Sequence, residues 1–455
     1  MNRLPGMTLG GVGTFFQRDQ TWWDLAGGWI DYLRRCQTLL QQGQPVADVV
    51  YFTGEELPSR AILPERRMPA LPAGYTADSI NRDALLRLAS VKDGRIVLPG
   101  GASYAILVLP DTPLMTPELA AKIQKLVKQG ATVYGPPPQR SPSLENFPAC
   151  DEKVRKIATE IWGRNVSVVW GVLLDVALQR ARLAPDCLVE TEARKPANGI
   201  EWTHRSAPDT EIYFISNQRE EEQAIQVSLR ATGRRPELWN PVTGETTAVS
   251  NFSENDGRTT LPLHLASRGS VFVVLRKAAK NQPQPVGGKN WIEPRPALNI
   301  AGAWQVTFDP VMSGLKRPVR FPQLASWITR DEPEIHFYSG SAIYSKTFNW
   351  DKSVQTGRFW LDLGGVSDIA SVTLNDKDCG TAWTSPFRVE ITSALRRGAN
   401  TLEIRVANTW NNRLVGDRGV SPSKRKTWTN APDRSENSPL LHAGLLGPLM
   451  VQTSD

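Results

Sequence analysis

Three kinds of side chain in this sequence have the chemistry to act on a ligand: paired acids, histidines, and tryptophans set beside amides. Glu55 and Glu56 follow the first long apolar run. On extended backbone adjacent side chains point to opposite faces, so these two cannot face one another across a substrate. Acid–base cleavage at a sugar needs two carboxyls roughly 5 to 10 Å apart, and no other pair is singled out by its spacing. His204, His264, His336 and His442 stand alone, without an HExxH pattern or a neighbouring Cys pair, so no zinc site is read. Cys36, Cys150, Cys187 and Cys379 form no CxxC motif and read as buried free thiols. A GxSxG elbow is absent.

One polar stretch sets amides, a guanidinium and a carboxylate beside an indole. The stretch NTWNNRLVGD places Trp410, Asn411, Asn412, Arg413 and Asp417 together, and Trp383 opens WTSPF. Amides, a guanidinium and a carboxylate beside an indole are the donors, acceptors and stacking face that a saccharide needs. The same composition suits a polar loop docking onto a module missing from this sequence, and Trp383 to Phe387 suits a core-filling turn. Both alternatives stay open. Tryptophan is unusually common, 15 against 13 phenylalanines, and core filling is the expected use of most of them.

The elements that must position these residues fall into three blocks. Residues 20–44 read as an amphipathic helix, with Trp22, Trp29, Leu33, Cys36 and Leu40 on one stripe and Gly43 as its stop. From about 45 to 187, apolar runs such as VADVVYF and SYAILVLPD alternate with helical patterns. That predicts a parallel sheet with helices on both faces. One helix is expected from Asp78, another at 116–130 with Thr116 as N-cap, Pro117 at the first position and Gly130 as stop. From Cys187 to about 280, short alternating segments with turns between them predict an antiparallel sandwich, with WNPVTGE as a turn. NQPQPVGG, 281–288, reads as a linker. The remainder reads as a second, larger sandwich of jelly-roll type.

The α/β block lacks ligand motifs. Its first strand runs into Thr53-Gly54-Glu55-Glu56-Leu57-Pro58, which offers one glycine and no free helix N-terminus for a pyrophosphate. Amidotransferase chemistry needs a cysteine on a tight strand-to-helix turn with a histidine partner. SYAILVLPD ends in Pro110-Asp111, and no histidine precedes His204.

The totals set outer limits. At roughly 150 residues per domain, 455 residues suggest about three domains. The net charge of +7 is mild for this length, and Ser423-Lys424-Arg425-Lys426, the densest basic run, is too short to support nucleic-acid binding. No stretch of about 18 apolar residues reads as a membrane span. The first residues show no signal-peptide pattern, so the sequence as written is expected in the cytoplasm.

Longer stretches resemble a known family. PGMTLGGVGTFFQRDQTWWDLAGGWIDYLRRCQTLLQQGQPVADVVYFTGEELP is similar to the end of the catalytic barrel, and the step into the next module, of glycoside hydrolase family 106, the α-L-rhamnosidases. GYTADSINRDALL, YAILVLPDTPLMTPELAAKIQKLVKQGATVYGPPPQRSPSL, YFISNQ, ELWNPVTGE and SPLLHAGLLGP resemble its downstream modules. LNDKDCGTAWTSPFRVEIT also resembles the sugar-binding sandwich of glycoside hydrolase family 2.

The resemblance implies a multidomain chain. Residues 1–44 would be a barrel remnant, 45–187 a flavodoxin- or amidotransferase-like α/β module, 188–280 a β-sandwich, 281–295 a linker, and 296–455 a galactose-binding-like jelly roll. The family's glutamate acid and base and its calcium belong to barrel segments that nothing here matches, so no catalytic residue and no metal ligand is carried over. The residues Gly11 to Asp19 also depart from the family, which has a histidine-containing stretch before the tryptophan pair. The first helix would then be an outer barrel helix that packs either on another polypeptide or on the α/β module alone.

Three functions follow as expectations. The first is a non-catalytic, carbohydrate-binding part of an α-L-rhamnosidase-like enzyme, with rhamnose-containing glycans, and a separate barrel chain, as partners. The second is an active hydrolase releasing α-L-rhamnose. The third is a structural or oligomerising module, since the α/β block resembles one that mediates assembly in some galactosidases. Enzymes of the family are exported to the periplasm or beyond.

Overall fold

The computed structural model describes residues 4–9, 13, 15–56, 60–163, 167–277, 287–351, 357–431 and 434–454. The start of the expected linker, 281–286, and most of the Gly10 to Thr14 stretch lie outside them.

Continuous apolar runs build a parallel sheet. Val49–Phe52 (β1) is buried along its whole length, as a strand covered on both faces must be. It pairs in parallel with Ala77–Ile80 (β2) on one side and Ile106–Val108 (β3) on the other. Thr132–Tyr134 (β4) and Val168–Val169 (β5) follow outward. The order is β2-β1-β3-β4-β5. One face, with Val50, Phe52, Leu107 and Val133, packs on Leu119, Ile123 and Leu126; the other, with Val49, Tyr51, Ile106 and Val108, packs on Leu174, Ala177 and Leu178.

Local signals set most boundaries here. In the helix Pro117–Lys128, the Thr116 side chain accepts from the Leu119 amide at 3.3 Å. Gly130, at φ +101°, ends that helical stretch. The helix expected from Asp78 is shorter, Arg82–Arg87, capped by Asn81. Asp78 to Ile80 instead join the sheet beside β1, and Tyr104 Oη donates to Asp78 at 2.9 Å.

Alternating segments build the next layer pair. A six-stranded sheet includes Ile200–Ala207, Thr210–Asn217 (β6) and Ser270–Arg276 (β7). A four-stranded sheet includes Cys187–Thr191, Gln223–Leu229 and Arg258–Leu265, and all pairs in both are antiparallel. Tyr213, Ile215, Val227, Leu261, Leu263 and Val273 fill the space between them.

The first helix, Gly27–Leu40 (α1), covers the outer face of that six-stranded sheet. Tyr32, Cys36, Leu39 and Leu40 pack on Ile212, Phe214, Phe272 and Val274, with Trp239 at the edge. Arg35 ties the helix to the Asn240 turn by donating to Pro241 O and Val242 O at 3.0 and 2.9 Å. Ahead of α1, Leu25 and Trp22 pack on Ile369, Ala407 and Trp383 of the last module. The expectation that this helix covers the α/β block alone is therefore corrected. The expected stripe is also rotated, because Tyr32 and Leu39 replace Trp29 and Leu33 on the buried side.

The last module is again a sandwich. One sheet runs Arg295–Asn299 (β8), Met450–Ser454, Arg358–Asp362 (β9), Arg388–Glu390; the other contains Trp304–Phe308, Ser341–Trp350, Gly398–Ala407, Ile369–Leu374 and Lys377–Ala382. Trp304, Trp327, Phe308, Phe321, Tyr338 and Tyr344 form its aromatic centre. Most indoles are used as core filling, as expected: Trp304, Trp327, Trp350 and Trp410 are buried, and Trp22, Trp162, Trp202, Trp239 and Trp383 pack against the core clusters while keeping some exposed surface. Among the described residues no helix is long and apolar enough to cross a membrane.

Candidate functional site

Five of the six residues nominated for sugar contact meet around the short helix Asn411–Gly416, and each makes polar contacts within the protein. Trp410 is 5% exposed, and its indole N–H donates to Asp19 O at 3.1 Å. Asn412 exchanges two bonds with the Leu441 backbone, at 2.8 and 2.9 Å. Asn411 accepts from Arg434 Nε at 2.6 Å. Arg413 pairs with Asp417 at 3.1 Å, and the second oxygen of Asp417 accepts from the Lys426 and Thr427 amides and the Thr427 hydroxyl. Trp383 lies apart, edge-on to Tyr32 of α1 at 5.1 Å.

This arrangement locks loops and docks the N-terminal segment. Besides the Trp410 bond, Thr21 Oγ1 donates to Asn408 O, and Asn408 is itself fixed by Tyr338 O and the Gly340 amide. Buried polar groups with protein partners stabilise one geometry, and NTWNNRLVGD here ties the N-terminal segment to the Leu441 and Thr427 loops.

The parallel sheet has one crevice where a ligand would be expected. In an order of this type it lies beyond the C-terminal ends of the strands flanking the point where the chain reverses direction, β1 and β3. Glu55 fills it. Its carboxylate accepts from the Thr116 amide and hydroxyl at 2.8 and 2.7 Å and from Arg82 Nε at 2.8 Å. A side-chain anion thus occupies the helix N-terminus that a phosphate would use. Glu55 thus ties the loop after β1 to the N-terminus of the helix Pro117–Lys128 and to Arg82.

Spacing gave no warning of the charged centre between the α/β block and the first sandwich. His204 is 5% exposed and stacks on Tyr213 at 3.8 Å. Its Nδ1 meets Asp186 at 2.8 Å and its Nε2 meets Glu211 at 3.0 Å. Tyr213 Oη donates to the other Asp186 oxygen at 2.9 Å, and Arg234 pairs with Glu211 at 2.9 Å. Burial disfavours the imidazolium, but the bonds to Asp186 and Glu211 outweigh it and raise the His204 pKa. Arg230 extends the network to Asp48, just before β1, with bonds of 2.9 and 3.1 Å. The one legible signal was the alternation of Ile200–Ala207, which turns His204 inward opposite Tyr213. Both imidazole nitrogens are engaged by carboxylates, so the network clamps the strands that carry them.

A cavity of about 310 Å³ opens on the last sandwich, lined by Ile328, Thr329, Arg330, Asp331, Pro333, His336 and Phe337. It is shallow and contains one carboxylate, where glycosidic cleavage needs two. Among the described residues no three His, Cys, Asp or Glu side chains converge on a metal position. The calcium implied by the family resemblance has no such donor set among the described residues.

Comparison with known proteins places this geometry in a family. A family model described as alpha-L-rhamnosidase, glycoside hydrolase family 106, matches residues 1–253, and one described as glycosyl hydrolase 2 galactose-binding domain-like matches residues 327–436. The chain belongs to glycoside hydrolase family 106. A rhamnosidase structure from Novosphingobium sp. PP1Y is similar at a TM-score of 0.86 and 35% identity, covering 100% of this chain and 43% of that one. A protein of Formosa agariphila named "Putative beta-glucuronidase" is 25% identical, over 98% of this chain and 58% of its own length. A Ruminococcus gnavus beta-glucuronidase matches 24% of this chain and 21% of its own at 20% identity, with a TM-score of 0.22 that supports no argument. The chain spans about half the length of the first two relatives.

Proposed function

We propose that this chain is the carbohydrate-handling and structural portion of an α-L-rhamnosidase-like hydrolase, and that bond cleavage belongs to a barrel outside these residues. The observation that supports this most is a partly exposed aromatic cluster ahead of and along α1. Phe16 stacks on Trp29 at 5.1 Å, and Trp22 meets both rings edge-on at 5.8 Å. Phe16 and Trp23 are 51% and 41% exposed. Contiguous exposed rings mark a contact surface, and this one lies within the part that matches the rhamnosidase family model.

In this reading residues 1–44 are barrel remnant and the docking platform for that barrel. Residues 45–187 are an amidotransferase-like module, with its ligand crevice filled by Glu55. Residues 188–280 are a linking sandwich, 281–295 a linker, and 296–455 a galactose-binding-like jelly roll that contacts rhamnose-containing glycans. The contacts around Trp410 support placing Trp410, Asn411, Asn412, Arg413 and Asp417 in a docking joint.

The test is an assay with an aryl α-L-rhamnoside. No turnover above the uncatalysed rate is expected from this chain alone. Turnover that disappears when one Glu or Asp is replaced by its amide would establish the competing reading, an active rhamnose-releasing hydrolase.

A further inference from the structure

One end of the last sandwich gathers most of the chain's excess positive charge. Residues 309–320 hold Lys316, Arg317 and Arg320 against Asp309, and residues 413–428 hold Arg413, Arg418, Lys424, Arg425 and Lys426 against Asp417. Together these two stretches carry a net charge of +6, against +7 for all 455 residues. They adjoin, since Lys426 Nζ donates to Met312 O at 2.6 Å. A third stretch, 328–337, meets both. Arg330 lies over the ring of Phe321, next to Arg320, at 4.9 Å, and a Cβ at Gly416 would stand 2.6 Å from Phe337 Cβ. Its Arg330, Asp331, Glu332 and Glu334 bring the net charge of the three stretches to +4.

The acids of the two cationic stretches are already engaged. Asp309 accepts from the Val311 amide at 2.9 Å, and Asp417 pairs with Arg413 and accepts from the Lys426 and Thr427 amides. Lys316, Arg317, Arg320 and Lys424 are exposed and form no ion pair among the described residues. Many arginines elsewhere do find carboxylates, as Arg34 does with Asp31 at 2.9 Å, Arg230 with Asp48 at 2.9 Å and Arg276 with Glu237 at 2.7 Å. An indole stands beside these cations. Trp428, two residues beyond Lys426, is 50% exposed, and its amide donates to Pro5 O at 2.8 Å. The bonds to Asp417, Met312 and Pro5 fix the backbone that carries Lys426 and Trp428.

We infer that this end of the last sandwich binds an acidic polysaccharide, with carboxylate or sulfate groups on Lys316, Arg317, Arg320 and Lys424 and a sugar ring on Trp428. Guanidinium and ammonium groups are natural partners of such anions, and an exposed indole offers a stacking face. The cations are spread over two loops and a strand and do not converge on one pocket. That spread suits charges repeated along a chain better than a single small anion. The inference rests on the reading of this sandwich as carbohydrate-handling, which is what favours a polysaccharide over nucleic acid.

Equilibrium binding of the full chain to surfaces coated with polygalacturonate, a sulfated galactan, neutral galactan, neutral rhamnan or a DNA duplex tests it. The salt is set at about 0.15 M, where screening over about 8 Å leaves distant charges little influence. Binding is expected to at least one acidic polysaccharide, more weakly to DNA and not to neutral galactan. The triple variant Lys316→Gln, Arg317→Gln, Lys424→Gln should bind about tenfold more weakly, as loss of three exposed charge contacts implies. A second triple variant, Lys92→Gln, Lys153→Gln, Arg180→Gln, removes the same charge from exposed positions of the α/β block and should change affinity less than about twofold. Trp428→Ala should weaken binding about fivefold through the lost stacking face. No binding to either acidic polysaccharide, equal binding to DNA, equal losses in the two triple variants, or wild-type affinity of Trp428→Ala would each overturn the inference. Binding to neutral rhamnan alone would overturn it and leave the carbohydrate-handling reading in place. Aryl-rhamnoside turnover, with acidic-polysaccharide binding and its losses as expected, would remove only the non-catalytic reading.

Discussion

Replacing His204 with alanine is expected to lower folding stability by about 3–5 kcal/mol, the range for breaking a buried ion pair by removing one partner. Asp186 is fully buried and would lose its 2.8 Å bond to the imidazole, keeping only Tyr213 Oη and a 3.8 Å approach by Arg230. Glu211 would lose its 3.0 Å bond but retain Arg234. Urea titration followed by circular dichroism measures the loss. The pH dependence identifies its source. His204 has a folded-state pKa raised above its ordinary 6.5. Its contribution is therefore complete below about pH 6.5 and is lost as pH rises through the folded value. Asp48 and Tyr213 also have raised pKa values, but from 3.8 and 10.0, with burial as the largest cause in both. Wild-type stability should fall from about pH 6.5 upward, and His204→Ala should lack that slope. Parallel profiles for the two proteins would show that the imidazole is not the charged centre of the clamp.

The sequence disclosed what depends on neighbours close in the chain and concealed what depends on distant ones. VVYF and ILV are apolar without alternation because both faces of β1 and β3 are covered, so a parallel sheet was legible. Thr116, Pro117 and Gly130 act within one turn of their own helix and were read correctly. The partner of α1 was not legible, since apolar residues occur around most of the helix and its contacts, Ile212, Phe272 and Val274, come from far along the chain. NTWNNRLVGD was legible as a polar, tryptophan-bearing loop, but that composition serves a buried joint as well as a sugar contact. Only the positions of Asp19, Leu441 and Thr427 distinguish the two. Trp360 was read as part of a strand in GRFWLDLGGV. Its companions on the sheet face, Glu390 and Gln452, lie 30 and 92 residues away, a register no local pattern reveals.

Gly43 shows the same division at one position and supports the other large prediction. The sequence reading assigns it to helix termination, which needs only the left-handed conformation that glycine adopts freely. Helix α1 ends earlier, at Leu40, with Gln41 as its cap. Gly43, at φ +53°, instead lies where the chain turns into an edge strand of the first sandwich, with Gln44 opposite Ser206. A Cβ there would come within 2.0 Å of the Ser206 carbonyl oxygen, a backbone atom that cannot rotate away. Arg205 fixes the same turn by donating to Gln42 O and Gly43 O, each at 2.8 Å. Gly43→Ala must therefore displace the edge strand, at an expected cost of about 3 kcal/mol. It should also expose the Val46 amide, which donates to His204 O at 3.0 Å, to faster hydrogen exchange. Gly54 is the matched control. Its φ is +88°, yet a Cβ there meets nothing within 4 Å, so Gly54→Ala should cost only about 1 kcal/mol of backbone conformation. Equal losses at the two positions would mean that conformation alone matters at Gly43. A loss about three times larger at Gly43, with Val46 deprotected, would mean that close approach to Ser206 holds α1 against the sandwich.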